Sequence, residues 1–310
     1  MRIVFCGTPE FAVPALSHLL AQTNFQVESV VTQPERPQGR QQEIVPSPVK
    51  EAARAAGVPV FQPASIKGEE AFEFFKRIAP DAVAIIAYGQ IIPAPLLAIP
   101  RFGWINLHAS LLPKYRGAAP IHWAIANGET RTGLTTMRID AGLDTGDILL
   151  QSEIAIGQDE TAPELSKRMA EAGAPLVGET LRKLERGEVT PKAQEHSRAS
   201  FAPILKREDG RVDWRLSAEQ VYNRMRGFAP WPGAFTTFRG QTCHVWGRPK
   251  SPGRPADAPG AIVAVGESIF VACGSGSWLE LDSVQLEGRK RVSAPDFANG
   301  ARLKQHEKFA

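Results

Sequence analysis

The stretch "DAVAIIAYG", Asp81 to Gly89, decides the fold. Between its leading Asp and closing Gly every residue is apolar or aromatic, without the alternation of a half-exposed strand and too short for a long helix. Such a run reads as a strand covered on both faces, as in a parallel sheet. Its neighbours fit that reading. "EEAFEFFKRIA" (Glu69–Ala79) before it reads as a helix, and "GWINLHAS" (Gly103–Ser110) after it reads as the next strand. Further upstream, "RIVFCG" (Arg2–Gly7), "VESVVTQP" (Val27–Pro34) and "VPVF" (Val58–Phe61) read as strands. Between them lie helices in "PEFAVPALSHLLAQ", with Phe11, Ala15, Leu19 and Leu20 at helical spacing, and in "SPVKEAARAAG", with Pro48 near N1 and Gly57 as its stop. Strands alternating with helices predict a parallel sheet with right-handed crossovers. Ligands in such sheets bind beyond the carboxyl ends of the strands.

Outward in the other direction, "PIHWAIANG" (Pro120–Gly128) predicts a helix. "GLTTMRID" (Gly133–Asp140) and "DTGDILLQSEIAI" (Asp144–Ile156) predict the two arms of a hairpin, and Glu160–Gly187 a long helix. From Thr190 to Pro203 the chain is polar and aperiodic, the character of a linker. Beyond it a short helix within Arg211–Phe228 precedes five short strands punctuated by Gly and Pro, a spacing that predicts a small β-barrel. The expected division is residues 1–189, a linker over 190–204, and residues 205–310.

The chain has 310 residues, 43% hydrophobic and 22% charged, which suits a globular protein of two domains. Its three cysteines, Cys6, Cys243 and Cys273, stand far apart in no metal-ligand spacing. That argues against a disulfide framework and a zinc site. No apolar run reaches the ~18–20 residues of a membrane span, and the opening "MRIVFCG" reads as a strand and not a leader, so a cytoplasmic location is expected. The net charge of +3 is unevenly spread. Residues 205–310 hold 16 Lys and Arg against 11 Asp and Glu; the rest hold 20 against 22. A basic final third hints at a polyanionic partner, though solvated basic faces are common.

Two stretches carry chemistry. In "NLHASLLPKYRGAAP" (Asn106–Pro120), Asn106 and His108 lie two apart on a predicted strand and share a face. A lone His is more often a satisfied core residue, but the amide at i−2 favours a site. In "DAGLDTGD" (Asp140–Asp147), three carboxylates and two glycines occupy a connection. Taken blandly it is a tight turn. One carboxylate facing His108 would instead hold the imidazole in its charged, acid form. No Ser or Cys stands beside the pair as an evident nucleophile, so direct group transfer is expected rather than a covalent enzyme intermediate. "GTPEF" keeps only Gly7 of a dinucleotide-binding G-x-G-x-x-G, which argues against a nicotinamide cofactor.

Asn106-x-His108, "SLLPKYRGAAPI" and "GLDTGDIL" together resemble the signature of the formyltransferases that use 10-formyltetrahydrofolate. With "TPEFAVPAL", "TQPERPQGR", "PSPVK", "AYGQIIP" and "FAPWPGA", the chain is similar to the methionyl-tRNA formyltransferases within them. Glycinamide ribonucleotide formyltransferases share the first elements but are shorter. The formate-releasing dehydrogenase shares "GLDTGD" but continues into other domains, and sugar-nucleotide formyltransferases usually lack the "PWPGA" element. The resemblance implies an α/β fold: a Rossmann-like, mostly parallel formyltransferase domain followed by a smaller OB-like, tRNA-binding β-barrel. It implies 10-formyltetrahydrofolate as formyl-donor co-substrate, no metal, initiator methionyl-tRNA as partner, and a monomer with no membrane role. The methionine α-amine would attack the formyl carbon; Asn106 and protonated His108 would stabilise the tetrahedral oxyanion. Asp144 would hold His108 and help move the proton, and whether His108 or Asp144 takes it stays open. Ser110, Leu111, Leu112 and Pro113 would contact folate, with Ile86 and Tyr88 walling the pterin pocket.

The same resemblance gives the tRNA to Arg36 and Arg40, in the long polar loop Gln33–Pro48, and to the basic residues Lys206, Arg289, Lys290 and Arg291. Trp231 and Trp246 are expected in the core, with base stacking as the alternative. Two other readings are weighed against this one. Formylation of an amino sugar on a nucleotide would use the same fold, and a degenerate transferase fold could serve as a non-catalytic RNA-binding module.

Overall fold

The computed structural model describes residues 1–35, 37–38, 43–255, 257–304 and 306–310. They form two compact units, Met1–Pro120 with Arg131–Ala155 and Glu164–Pro203, and Ile121–Thr130 with Ile156–Pro163 and Ile204–Ala310. No helix among them is long and apolar enough to cross a membrane.

Among the described residues the first unit contains nine strands: β1 (Arg2–Gly7), β2 (Gln26–Val31), β3 (Pro37–Gln38), β4 (Glu43–Ile44), β5 (Val60–Phe61), β6 (Ala82–Ile86), β7 (Trp104–His108), β8 (Arg131–Arg138) and β9 (Ile148–Ala155). Seven of them make one sheet, ordered β5-β2-β1-β6-β7-β8-β9, while β3 pairs with β4 alone. Pairing is parallel from β5 through β7. It turns antiparallel at β8 and β9, the hairpin predicted from sequence. The apolar run read first is β6, and all five of its residues are buried. Each Ile there contributes roughly 1.5–3 kcal/mol of transfer free energy, so Ile85→Asp would break the sheet's centre.

Four helices cover this sheet early in the chain: α1 (Val13–Leu20), α2 (Pro48–Ala55), α3 (Glu69–Ile78) and the single turn α4 (Ala94–Leu97). Ser47 caps α2 by accepting the Lys50 N–H, with Pro48 at N1 as the sequence predicts. α3 carries Glu69 and Glu70 in its first turn and Lys76 and Arg77 in its last, favourable at both ends of its dipole. Its Phe75 packs with Trp104 of β7, their ring centroids 4.9 Å apart. After α5 (Pro120–Ala126), the 24-residue α6 (Ala162–Glu185) lies so close that a Cβ on its Gly173 would stand 2.6 Å from Leu107 Cδ2. Leu107 therefore points to α6, and alternation turns Asn106 and His108 to the opposite side.

The second unit is antiparallel. Its strands β10 (Phe235–Phe238), β11 (Gln241–Pro249), β12 (Ile262–Val265), β13 (Ser268–Ala272) and β14 (Trp278–Leu286) run in the order β10-β11-β14-β13-β12, and β15 (Val292–Ser293) pairs with β14. Residues 307–310 span from one edge strand to the other. Ile262 N donates to Glu307 O and Phe309 N to Gly260 O, while Thr237 and Ala310 exchange both backbone bonds. The sheet is thereby closed into the small barrel expected, which removes its free edges. Its core includes Trp214, Val245, Val271, Leu279 and Phe309, together with α7 (Ala218–Gly227) and α8 (Ala294–Ala301). Cys6, Cys243 and Cys273 are all buried and free, and burial raises all three thiols, the latter two to about 12.

Candidate active site and nucleic-acid face

His108 ends β7 at its carboxyl end and is buried. Its Nδ1 lies 3.0 Å from Ser110 Oγ, and that hydroxyl already donates to the Lys114 carbonyl at 2.6 Å. Nδ1 must then be the donor, a proton placement assigned from the bonding network. On the other side Nε2 faces two acceptors, Asp144 Oδ2 at 3.3 Å and the Gly117 carbonyl at 3.4 Å. Asn106, two residues back on the same face, is half-buried, and its amide makes no hydrogen bond among the described residues. It remains able to donate to a ligand.

Asp144 reaches the pair from the connection between β8 and β9. Its Oδ2 also accepts the Gly117 N–H at 2.8 Å. Burial would push this carboxyl up; the hydrogen bond and charge of His108, the Gly117 N–H and the charge of Arg116 outweigh it and hold it below the usual range. Asp144 has φ 52°, in the left-handed region, and Ala87 at 48° and Tyr115 at 59° share that strain. Such a conformation costs an L-residue on the order of 1–2 kcal/mol, and persists only where surroundings enforce it. The glycines of "GLDTGD" answer to crowding. A Cβ on Gly146 would run into the Arg138 carbonyl, and one on Gly142 into Thr145 Oγ1. Asp140 orders the same turn by accepting from Gly142 N and Thr145 Oγ1.

The other residues named from sequence fall in different places. Ser110 is fully buried beneath His108, its hydroxyl spent on the imidazole and Lys114. Leu111 lies over Gly133 of β8, and Leu112 clusters with Met137 and Ile148, so 110–113 is anchored on the antiparallel strands, with Pro113 half-buried. Ile86 and Tyr88 are core residues at the carboxyl end of β6, and the Tyr88 hydroxyl is buried without a hydrogen-bond partner among the described residues. Arg36 and Arg40 lie outside the described residues.

In the second unit Lys206, Arg289, Lys290 and Arg291 are exposed, and neither Arg289 nor Lys290 makes an ion pair among the described residues. Alternation along β11 buries Cys243, Val245 and Gly247 and turns His244, Trp246 and Arg248 outward. The guanidinium of Arg291 lies 3.9 Å over the Trp246 ring while its Nε donates to Ser283 Oγ at 2.7 Å. His244 lies beside both Trp246 and Phe235, and Arg207 sits 6.0 Å over Phe235. The result is a row of three rings, Phe235, His244 and Trp246, with an arginine at each end. The expectation that Trp231 and Trp246 belong to the core is corrected here: Trp231 is 55% exposed and Trp246 faces outward. The barrel interior is filled instead by smaller side chains and by Trp214.

Known proteins are similar to this chain over its whole length. The family described as Formyl transferase matches residues 1–181, and Formyl transferase, C-terminal domain, matches 204–302. The chain is 52% identical over 309 residues to the methionyl-tRNA formyltransferase of Solibacter usitatus, covering 100% of this chain and 98% of that one. It is 53% identical to that of Acidobacterium capsulatum, covering 98% and 97%. The chain belongs to the formyl transferase family, among its methionyl-tRNA formyltransferases.

Among solved structures, the fold of this formyl transferase is similar to that of WlaRD, a sugar 3N-formyl transferase determined in the presence of dTDP and 5-N-formyl-THF. The TM-score is 0.64 at 15% identity, covering 94% of this chain and 99% of that one. It is also similar to HypX from Aquifex aeolicus in complex with tetrahydrofolic acid, with a TM-score of 0.61 at 17% identity over 99% of this chain and 48% of that one.

Sequence reasoning missed two residues of this formyl transferase that bear on the site. Arg116 is a buried cation, and Gln194 is a buried amide in the stretch read as linker. Arg116 sits inside a quoted signature and could have been singled out; nothing in the polar run around Gln194 marks it.

Proposed function

We propose that this formyl transferase moves the formyl group of 10-formyltetrahydrofolate to the α-amine of methionine on initiator methionyl-tRNA. One observation carries the chemistry: an unspent Asn106 amide stands on the same strand face as a His108 whose Nε2 lies 3.3 Å from Asp144 Oδ2. That set suits addition of an amine to a formyl carbon. Folate, when bound, supplies the formyl group at a nitrogen that can leave. Asn106 and the Nε2–H of His108 donate to the oxygen that gains charge, the arrangement in which fixed donors lower a barrier most. Asp144 stays ionised, orients His108 through Nε2, and stands beside the proton that passes from the amine to the leaving folate nitrogen. Ser110 serves this chemistry through His108, fixing the ring by its Nδ1 bond.

The donor fits the residues present. The carboxyl ends of β6 and β7 offer the free Asn106 amide, with Ile86 and Tyr88 packed in the core behind it. Leu111, Leu112 and Pro113 follow Ser110, which is bonded to His108, and complete the folate side in this reading. For the acceptor, the outward row of Arg207, Phe235, His244, Trp246 and Arg291, with Lys206, Arg289 and Lys290, suits a phosphate backbone and exposed bases. Arg36 and Arg40 take the end of the acceptor stem in this reading. The division of labour follows: formyl transfer by residues 1–189 with 192–202 packed on their loops, and tRNA grip by 205–310. In this reading the protein acts as a monomer in the cytoplasm, where translation begins.

An acceptor screen tests this reading. The protein and 10-formyltetrahydrofolate are incubated with charged initiator tRNA, charged elongator tRNA or an amino-sugar nucleotide, and formyl transfer is followed. Transfer to initiator methionyl-tRNA alone is expected. Transfer to the amino sugar alone would replace the acceptor, and tRNA binding without any turnover would make the protein a binding module.

A further inference from the structure

Residues 192–202, polar and aperiodic, lie against the loops that carry the catalytic groups. Lys192 and Ile148 exchange backbone bonds at 2.8 and 2.9 Å. Ser200 O accepts from Arg116 N, Ala202 N donates to Arg116 O, and Ala119 N donates to Ala202 O. At the centre is the Gln194 side chain, 6% exposed. Its Nε2 donates to the carbonyl oxygens of Asp144 and Gly146, both at 2.8 Å. Its Oε1 accepts from Arg116 Nε at 3.1 Å and Nη2 at 2.7 Å. All four bonding positions of the amide are filled. Arg116 is itself fixed from the far side, with Nη1 and Nη2 each 3.3 Å from His196 Nδ1.

We infer that Gln194 is a positioning residue for formyl transfer: clamped by Arg116, its amide holds the Asp144–Gly146 backbone in the turn that carries Asp144 Oδ2 to His108 Nε2. The inference rests on the catalytic reading of Asp144 and His108 given above. Three features support it. Asp144 is left-handed, so its turn needs an external hold. The position calls for a donor to two carbonyls and an acceptor for a guanidinium on one terminus, which an amide provides and a carboxylate does not. The groups facing the Asp144 carboxylate (His108, the Gly117 N–H and the charge of Arg116) all bear on the same few loops, so a slip of the turn unmakes several of these bonds together.

The test uses full-length Gln194→Met and Gln194→Glu beside Asp144→Asn. Met keeps the volume without hydrogen bonds. Glu keeps the bond to Arg116 but sets an oxygen against the two carbonyls. Both Gln194 variants should lose about 10- to 100-fold in kcat, the scale of a reacting group displaced by about an ångström, with KM for methionyl-tRNA within about twofold. Amide hydrogen exchange should quicken selectively at Gly117, whose N–H is bonded to Asp144. Retention of kcat within about threefold in either Gln194 variant, while Asp144→Asn is severely impaired, overturns the positioning role alone. Normal turnover in Asp144→Asn overturns the catalytic reading beneath it. A uniform rise in exchange with a matching loss of melting temperature in both Gln194 variants also overturns the positioning role, since Gln194 would then be a residue of general stability.

Discussion

His108 Nε2 lies 3.3 Å from Asp144 Oδ2, and the same oxygen accepts the Gly117 N–H at 2.8 Å. The carboxylate thus ties the end of a central strand to a distant turn and to the loop between them. His108→Ala should lower turnover by ~10²–10⁴, the usual scale for a placed acid–base group. Asn106→Ala should cost ~10²–10³, as for one oxyanion donor. Far-ultraviolet circular dichroism should stay at the parental spectrum. Three variants, these two and Asp144→Asn, all within tenfold of the parent would refute the mechanism.

The depressed carboxyl of Asp144 makes a pH prediction with a definite sign. A carboxyl lower in the folded than the unfolded state adds stability that is present above its unfolded value, about 3.9. That stability is lost as pH falls through the lower folded value. The difference in denaturant midpoint between the parent and Asp144→Asn should therefore be constant from pH 5 to 7, fade below about pH 4, and vanish further down. A difference that grows on acidification would reverse the assigned shift.

Gly146→Ala should inactivate without touching a catalytic side chain. Its methyl would collide with the Arg138 carbonyl, on backbone that cannot swing aside. Overpacking costs typically about 1–3 kcal/mol, and here it falls on the turn that presents Asp144. Thermal melting and kcat should both fall; an active, equally stable variant would show that the turn has another way to close.

Binding to tRNA should weaken steeply with salt. Neutralising Arg289 and Lys290 should make the plot of log affinity against log salt shallower by about one unit for each phosphate that these cations no longer neutralise. Trp246→Ala should weaken binding with little change in that slope, because it removes a ring and not a charge. Filter binding at several salt concentrations separates the two; parallel lines for the Arg289/Lys290 variant would remove this surface from the interface.

Much of this is legible in the sequence because it depends on periodicity and local chemistry. The unbroken apolar run of β6, the β8–β9 hairpin and the Ser47–Pro48 start of α2 are each set by residues adjacent in sequence. Asn106 and His108 can be placed on one face because a strand alternates. The role of Ser110 cannot be read that way, since a serine in an exposed-looking turn gives no sign of being packed under an imidazole. Gln194 is illegible for a related reason: its partners are backbone carbonyls 48 and 50 residues earlier. Trp246 departs from expectation because large aromatics are usually core, whereas here one face of the ring is covered by Arg291.

The second unit draws ten residues from Ile121–Thr130 and eight from Ile156–Pro163 in addition to its main stretch. Trp123 packs edge-on against Phe228, Gly227 leaves no room for a Cβ beside Ala126, and Arg226 donates to the carbonyls of Gly157 and Glu160. A chimera that exchanges only residues 204–310 with another family member would graft a barrel while leaving behind two pieces of its own seat. Recombination should therefore succeed when the crossover carries both earlier inserts along, and evolution is free to vary these three segments only in concert.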